Sequence, residues 1–228
     1  MFGTIFNVGM IIVGSIIGSI FKKGIKEEYH EILMQAMGLT AAALGINAIV
    51  QHLPSSKYPV LFIVSLAIGG LIGQKLQLES KFNAIVNKFS KSNLAEGLST
   101  AILLFCIGSL SILGPIEAAL RGNYTYLLAN GLLDGITSIV LASTFGIGIA
   151  IAAIVLFVWQ GSIYLLTILM ESSINHNLLN EVTIVGGILI LGSGLSILGI
   201  KKFKTLNLLP ALLIPPIFFL IMHVIGRF

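Results

Sequence analysis

The stretch NGLLDGITS, residues 130–138, places a carboxylate where its surroundings do not account for it. Asp134 is the only aspartate in the chain and the only charged residue between Asn123 and Met170. On a helix, Asn130, Thr137 and Ser138 stand at i−4, i+3 and i+4 from it and share its face. Gly131 and Gly135 flank that stripe. Four oxygen-bearing side chains in a row, with small residues that let another backbone come close, suit the coordination of a hard cation or the relay of a proton. A carboxylate near the middle of a membrane costs at least ~2.5 kcal/mol, so a partner, a proton or water must stand beside it. No Lys or Arg is embedded in an apolar run to pair with it, which favours an exogenous cation or a proton. The bland alternatives are a protonated acid bonded to a neighbouring span, or a carboxylate near enough to the outer face to be wet.

Other polar residues inside apolar runs are Asn7, Gln35 and Asn47, then Ser143 and Thr144, then Gln160 and Ser162. Each alone is explained by interhelical hydrogen bonding at ~0.6 kcal/mol. Together they mark four apolar runs that can surround a polar cavity, and Asn7, Gln35 and Gln160 join Asp134, Asn130, Thr137 and Ser138 as candidate ion- or substrate-binding residues. Gln160 is expected to face the Asp134 stripe. Gly114-Pro115 and the prolines 210, 215 and 216 are expected to interrupt two further runs, since proline removes a backbone donor. Broken helices at membrane depth are tolerated where they line cavities. Catalysis finds no foothold: there is no nucleophile elbow, no phosphate-binding loop and no paired carboxylate set. Glu27, His30 and Glu31 resemble half of a di-metal arrangement that needs its motif twice, and His52, His176 and His223 have no metal-ligand spacing. No cofactor, no metal and no enzyme activity are expected.

The elements that must hold these residues are membrane helices. Of 228 residues, 56% are hydrophobic and 10% charged, with a mean hydropathy of +1.03, far from the soluble balance of about a quarter charged. Apolar runs near 3–21, 32–51, 59–76, 97–116, 126–145, 147–169, 182–200 and 208–226 each approach the ~20 residues a crossing helix needs. The fold class is an all-α polytopic bundle of about eight spans, seven being possible, forming a single transmembrane domain over 1–228. The first run has no basic segment before it and is expected as a retained helix rather than a cleaved signal. The uncharged stretch ASTFGIG must serve as a tight turn between the fifth and sixth runs, unless residues 126–169 form a re-entrant pair. The single Cys106 excludes a disulfide framework.

The net charge of +4 resides in loops, where basic residues orient helices, and no nucleic-acid partner is read from it. With the N-terminus outside, ten of the thirteen basic residues fall on the inside, whereas merging the fifth and sixth runs would send Lys201, Lys202 and Lys204 outside. Phe82, Ile85, Val86 and Phe89 recur at helical spacing opposite Lys81, Lys88 and Lys91, which predicts a helix near 79–95 on the cytoplasmic surface, among anionic lipid headgroups or capping the other spans. GSIIG (14–18) recurs as GGLIG (69–73), and GSLSILG (108–114) as GSGLSILG (192–199). Segments repeated in opposite orientation are what inverted-repeat transporters contain, although glycine-rich apolar sequence also matches itself by chance. Gly14 and Gly18, like Gly69 and Gly73, have the spacing by which small residues let membrane helices or subunits approach.

GTIFNVGMIIVGSIIG, LMQAMGLTAAALGI, LLDGITSIVLASTFGIG and the aromatic-Gln-Gly of VWQGSIYLL resemble signature stretches of the YdfK/YqgA-type bacterial integral membrane proteins. The resemblance covers essentially the whole chain; Trp159 stands where Tyr is associated with the last motif. It implies a multi-pass protein of the bacterial inner membrane and supplies no substrate. The residues lead to a small transporter or channel-like protein for a cation or small solute, homo-oligomeric because eight short spans enclose little volume. The second reading is a non-transporting scaffold or sensor that works through its basic cytoplasmic loops.

Overall fold

The computed structural model describes residues 1–20, 26–81, 84, 93–107, 109–169 and 176–224. Its elements are helices α1 (Phe2–Ile20), α2 (Glu27–His52), α3 (Leu61–Leu76), α4 (Asn93–Ile107), α5 (Ser109–Arg121), α6 (Thr125–Phe145), α7 (Ala152–Leu169), α8 (His176–Ile197), α9 (Thr205–Leu208) and α10 (Ile214–Val224). Short 3-10 turns lie at Leu53–Ser55, Ile147–Ile151 and Leu209–Leu213, and no strand occurs among the described residues. Among the described residues, six segments are long and apolar enough to cross a membrane, or seven if the bent pair α4–α5 counts as one crossing. The expected span at 32–51 coincides with α2, which is not among the six. The predicted surface helix near 79–95 falls largely outside the described residues.

The single domain expected from the sequence takes the form of two compact units, Met1–Met37 with Phe82–Glu171, and Gly38–Lys81 with Ser172–Phe228. In the first unit α1 runs parallel to α6: Gly3 meets Leu127 near their starts and Gly18 meets Ile139 near their ends. Helices α4 and α5 run against α6, since Gly97 packs on Phe145 and Gly114 on Leu127. Ile11, Phe105, Cys106, Ala142, Ile149 and Leu156 form the apolar core of this bundle. Between α6 and α7 the chain reverses at Gly146, whose φ of 87° and ψ of 179° lie in a region essentially reserved for glycine. The uncharged turn expected there is present, and its arms are full-length. At 21 residues, α6 extends ~31 Å, enough to cross the ~30 Å hydrocarbon layer by itself.

The prolines expected to interrupt two runs divide. Helix α5 continues through Pro115, and the bend in this span is instead the 43° angle between α4 and α5. In the last span, Pro215 and Pro216 sit in the first turn of α10, where an amide hydrogen has no intrahelical acceptor to lose. The interruption is the 3-10 turn that contains Pro210.

In the second unit, α8 is antiparallel to α2, with Gly38 against Leu198 and Gly45 against Gly187 and Leu191. The glycine pair of α3 packs on the broken last span: a Cβ on Gly73 would overlap the Asn207 carbonyl, and one on Gly69 the backbone of Ala211. These contacts run antiparallel. The recurring glycine motif therefore makes the same close approach in both units but in opposite senses, parallel in α1–α6 and antiparallel here.

Candidate functional site

The seam between α1 and α6 is built by glycine. A Cβ on Gly14 would overlap the carbonyl oxygen of Gly135 and approach Ser138 Cβ at 3.0 Å, and one on Gly18 would overlap the carbonyl of Ile139. With no larger side chain possible at these positions, the two backbones come into direct contact, and every polar group on the facing stripes is sealed from bulk solvent.

Buried polar groups are many on these two helices. Helix α1 contributes Thr4, Asn7 and Ser15, and α6 contributes Asn130, Asp134 and Ser138, all buried. Asn130 Nδ2 donates to Asp134 Oδ2 at 2.8 Å, one helical turn apart as the sequence spacing required. From α1 the Asn7 amide reaches toward the same carboxyl, but neither its Nδ2 nor its Oδ1 closes a hydrogen bond of good geometry. Seven buried side-chain polar atoms among the described residues have no protein partner; three of them, both amide atoms of Asn7 and Ser138 Oγ, lie at the glycine contacts of this seam, and two more, Thr4 Oγ1 and Ser15 Oγ, are buried elsewhere on α1. An orphaned buried polar group costs about 1–3 kcal/mol. Three of them gather at one interface beside a carboxylate.

The outer members of the expected site divide. Thr137 is half-buried at the edge of the α6 stripe. Gln160 on α7 is fully buried, and its Nε2 donates to Ser111 Oγ on α5 at 3.0 Å while Oε1 has no partner. One of its two amide hydrogens is thus engaged on α5, and no hydrogen bond joins it to the Asp134 stripe. Pro115 cannot donate to the carbonyl four residues back, so the Ser111 carbonyl also lacks its helical partner. Gln35 does not join the site: it is exposed on α2, where its Nε2 donates to Glu31 Oε1 at 3.3 Å. Asn47, Thr144 and Ser162 are likewise exposed.

Two further acids, Glu117 and Glu181, are buried. Glu117 pairs with Arg121 at 3.0 Å, four residues on, a spacing that announces such a pair on any helix. Glu181 is buried in the second unit. It was hidden because α8 begins at His176, six residues before the apolar run, which puts an apparent loop residue on a buried helix. No group of three or more His, Cys, Asp or Glu side chains converges as a metal site among the described residues.

Comparison with known proteins now places the chain. It matches the family described as "Protein of unknown function (DUF554)" over residues 2–220. It is 78% identical, over 226 residues covering 99% of both chains, to "Uncharacterized membrane protein YdfK" of Bacillus subtilis (strain 168). To "Uncharacterized protein YqgA" of Escherichia coli (strain K12) it is 27% identical over 223 residues, 93% of each chain. No solved structure matches it.

Proposed function

The chain belongs to the DUF554 family of bacterial membrane proteins, and from that premise we propose that it is a small transporter or channel-like protein for a monovalent cation or a proton, with Asp134 as the ion or proton site. One observation carries the reading: a single carboxylate is buried in a glycine-tight seam where three polar atoms, both of the Asn7 amide and Ser138 Oγ, lack protein partners. Charge balance narrows the cargo. One carboxylate neutralised by one proton or one monovalent cation leaves no net charge in the low-dielectric interior, whereas a divalent ion would leave a positive charge uncompensated. Asn7, Asn130 and Ser138 supply neutral oxygens beside it.

Eight crossings fit this reading best. Counting α2 and the bent pair α4–α5 as one crossing each, successive spans alternate in direction. That alternation makes α1 and α6 parallel, α5 and α6 antiparallel, and α3 antiparallel to the last span, as their glycine contacts run.

The test is flux. Proteoliposomes holding the purified protein, with pH-, Na⁺- or K⁺-sensitive dyes inside, are given an imposed gradient of protons, Na⁺ or K⁺. Wild type is expected to pass one of the three well above empty vesicles, and Asp134→Asn to fall to the empty-vesicle rate. Flux unchanged by Asp134→Asn would remove the aspartate from the mechanism.

A further inference from the structure

The second unit carries a buried acid of its own, on the most deeply buried candidate span of that unit, as Asp134 is on the most buried of the first. Glu181 stands near the start of α8, and the loop between α2 and α3 closes on it. Ser56 Oγ donates to Glu181 Oε1 at 2.5 Å, and the Tyr58 amide is shared between that oxygen, at 3.3 Å, and Ser56 Oγ, at 3.1 Å. The Tyr58 ring packs edge-on against Phe218 at 4.9 Å and Phe219 at 5.8 Å, which holds this loop against the last span.

The asymmetry of this arrangement is informative. Both donors converge on Oε1, while Oε2 is equally buried and has no partner. A carboxylate used only to clamp a loop gains most when both oxygens are hydrogen-bonded, because each dry lone pair left open carries its own desolvation penalty. Here the protein fixes one oxygen in place and leaves the other free to accept. Ser56 Oγ sits beside it as a neutral oxygen. One carboxylate with hydroxyl oxygen, and no cluster of three or more His, Cys, Asp or Glu side chains among the described residues, is a hard, singly charged ligand set.

We propose that Glu181 and Ser56 form a second cation site, selective for a small monovalent ion such as Na⁺, independent of the Asp134 seam. The experiment uses the full-length protein in detergent and reads the thermal unfolding midpoint against Na⁺ and K⁺, with N-methyl-glucamine holding ionic strength constant. It is done in the Asp134→Asn background, so that its outcome is separate from that of the first site. A ligand bound by the folded state alone raises the midpoint with its concentration. The midpoint of Asp134→Asn is expected to rise with Na⁺, and the rise to vanish on adding Glu181→Gln. Ser56→Ala, which trims one loop hydroxyl, is expected to shift the half-saturating Na⁺ concentration upward about tenfold. A flat response in Asp134→Asn overturns the proposal, as does a response that survives Glu181→Gln. Should that variant not fold, an unchanged half-saturation in Ser56→Ala overturns it instead.

Discussion

Replacing Gly14 by alanine adds one methyl group to the middle of the α1–α6 seam, and the structure fixes what that group meets. Its Cβ would overlap the Gly135 carbonyl oxygen and touch Ser138 Cβ at 3.0 Å. The obstacle is largely backbone, which cannot rotate away as a side-chain tip can, so the helices must separate along the seam. Overpacking of this kind costs typically 1–3 kcal/mol, and the loss is felt fully in a membrane, where close packing is a main source of helix association. Gly9 supplies the control on the same helix, since nothing lies within 4 Å of the position its Cβ would take. Both substitutions gain the same ~1 kcal/mol of helix propensity, so their difference isolates the seam. Unfolding by SDS titration in mixed micelles is expected to show Gly9→Ala neutral or stabilised and Gly14→Ala lower than it by about 1–3 kcal/mol. Equal stability of the two variants would refute the close approach of α1 and α6 and the sealed site that depends on it.

Three other outcomes are expected. Gly146→Ala places a Cβ at φ 87° and ψ 179° and should lose about 1–3 kcal/mol by the same titration, whereas a turn with ordinary backbone angles would tolerate it. Gln160→Leu and Ser111→Ala, combined in a double-mutant cycle, should show a coupling of about 0.6 kcal/mol and no more than ~1.7; zero coupling would mean that the 3.0 Å bond contributes nothing. Asn207→Leu takes away the acceptor of the Glu79 amide and the donor to Gln74 Oε1, both at 2.9 Å, and should destabilise by about 1–3 kcal/mol, visible as faster proteolysis between α3 and α9.

Local periodicity made part of this protein legible from sequence. The i, i+4 relation that joins Asn130 to Asp134 is a property of any helix, and it appears as the 2.8 Å bond. The uncharged stretch ASTFGIG reads as a tight turn because the distribution of basic residues requires two crossings around it, and Gly146 within it takes a conformation other residues avoid. What failed was long-range. Gln35 lies in an apolar run as Asn7 does, yet only the fold decides that one faces out and bonds to Glu31 while the other is sealed against α6. Pro115 was read as a break, but a packed helix absorbs one missing bond. Glu181 was passed over because the polar residues before it look like a loop, and burial by the segment 53–58 lies more than a hundred residues away in sequence.

The role of Asp134 is tested most directly by the thermal unfolding midpoint of Glu181→Gln protein, with and without Asp134→Asn, across Na⁺, K⁺, Mg²⁺ and pH. The Glu181→Gln background silences the second site, so any remaining response belongs to the seam. A midpoint that rises with one monovalent cation or shifts with pH, ignores Mg²⁺, and loses this dependence in the double variant is the expected result. At a hundred times the dissociation constant, mass action makes the rise worth about 2.7 kcal/mol. A flat profile, with the double variant as stable as its parent or more so, would make Asp134 a buried structural acid and contradict the transport reading.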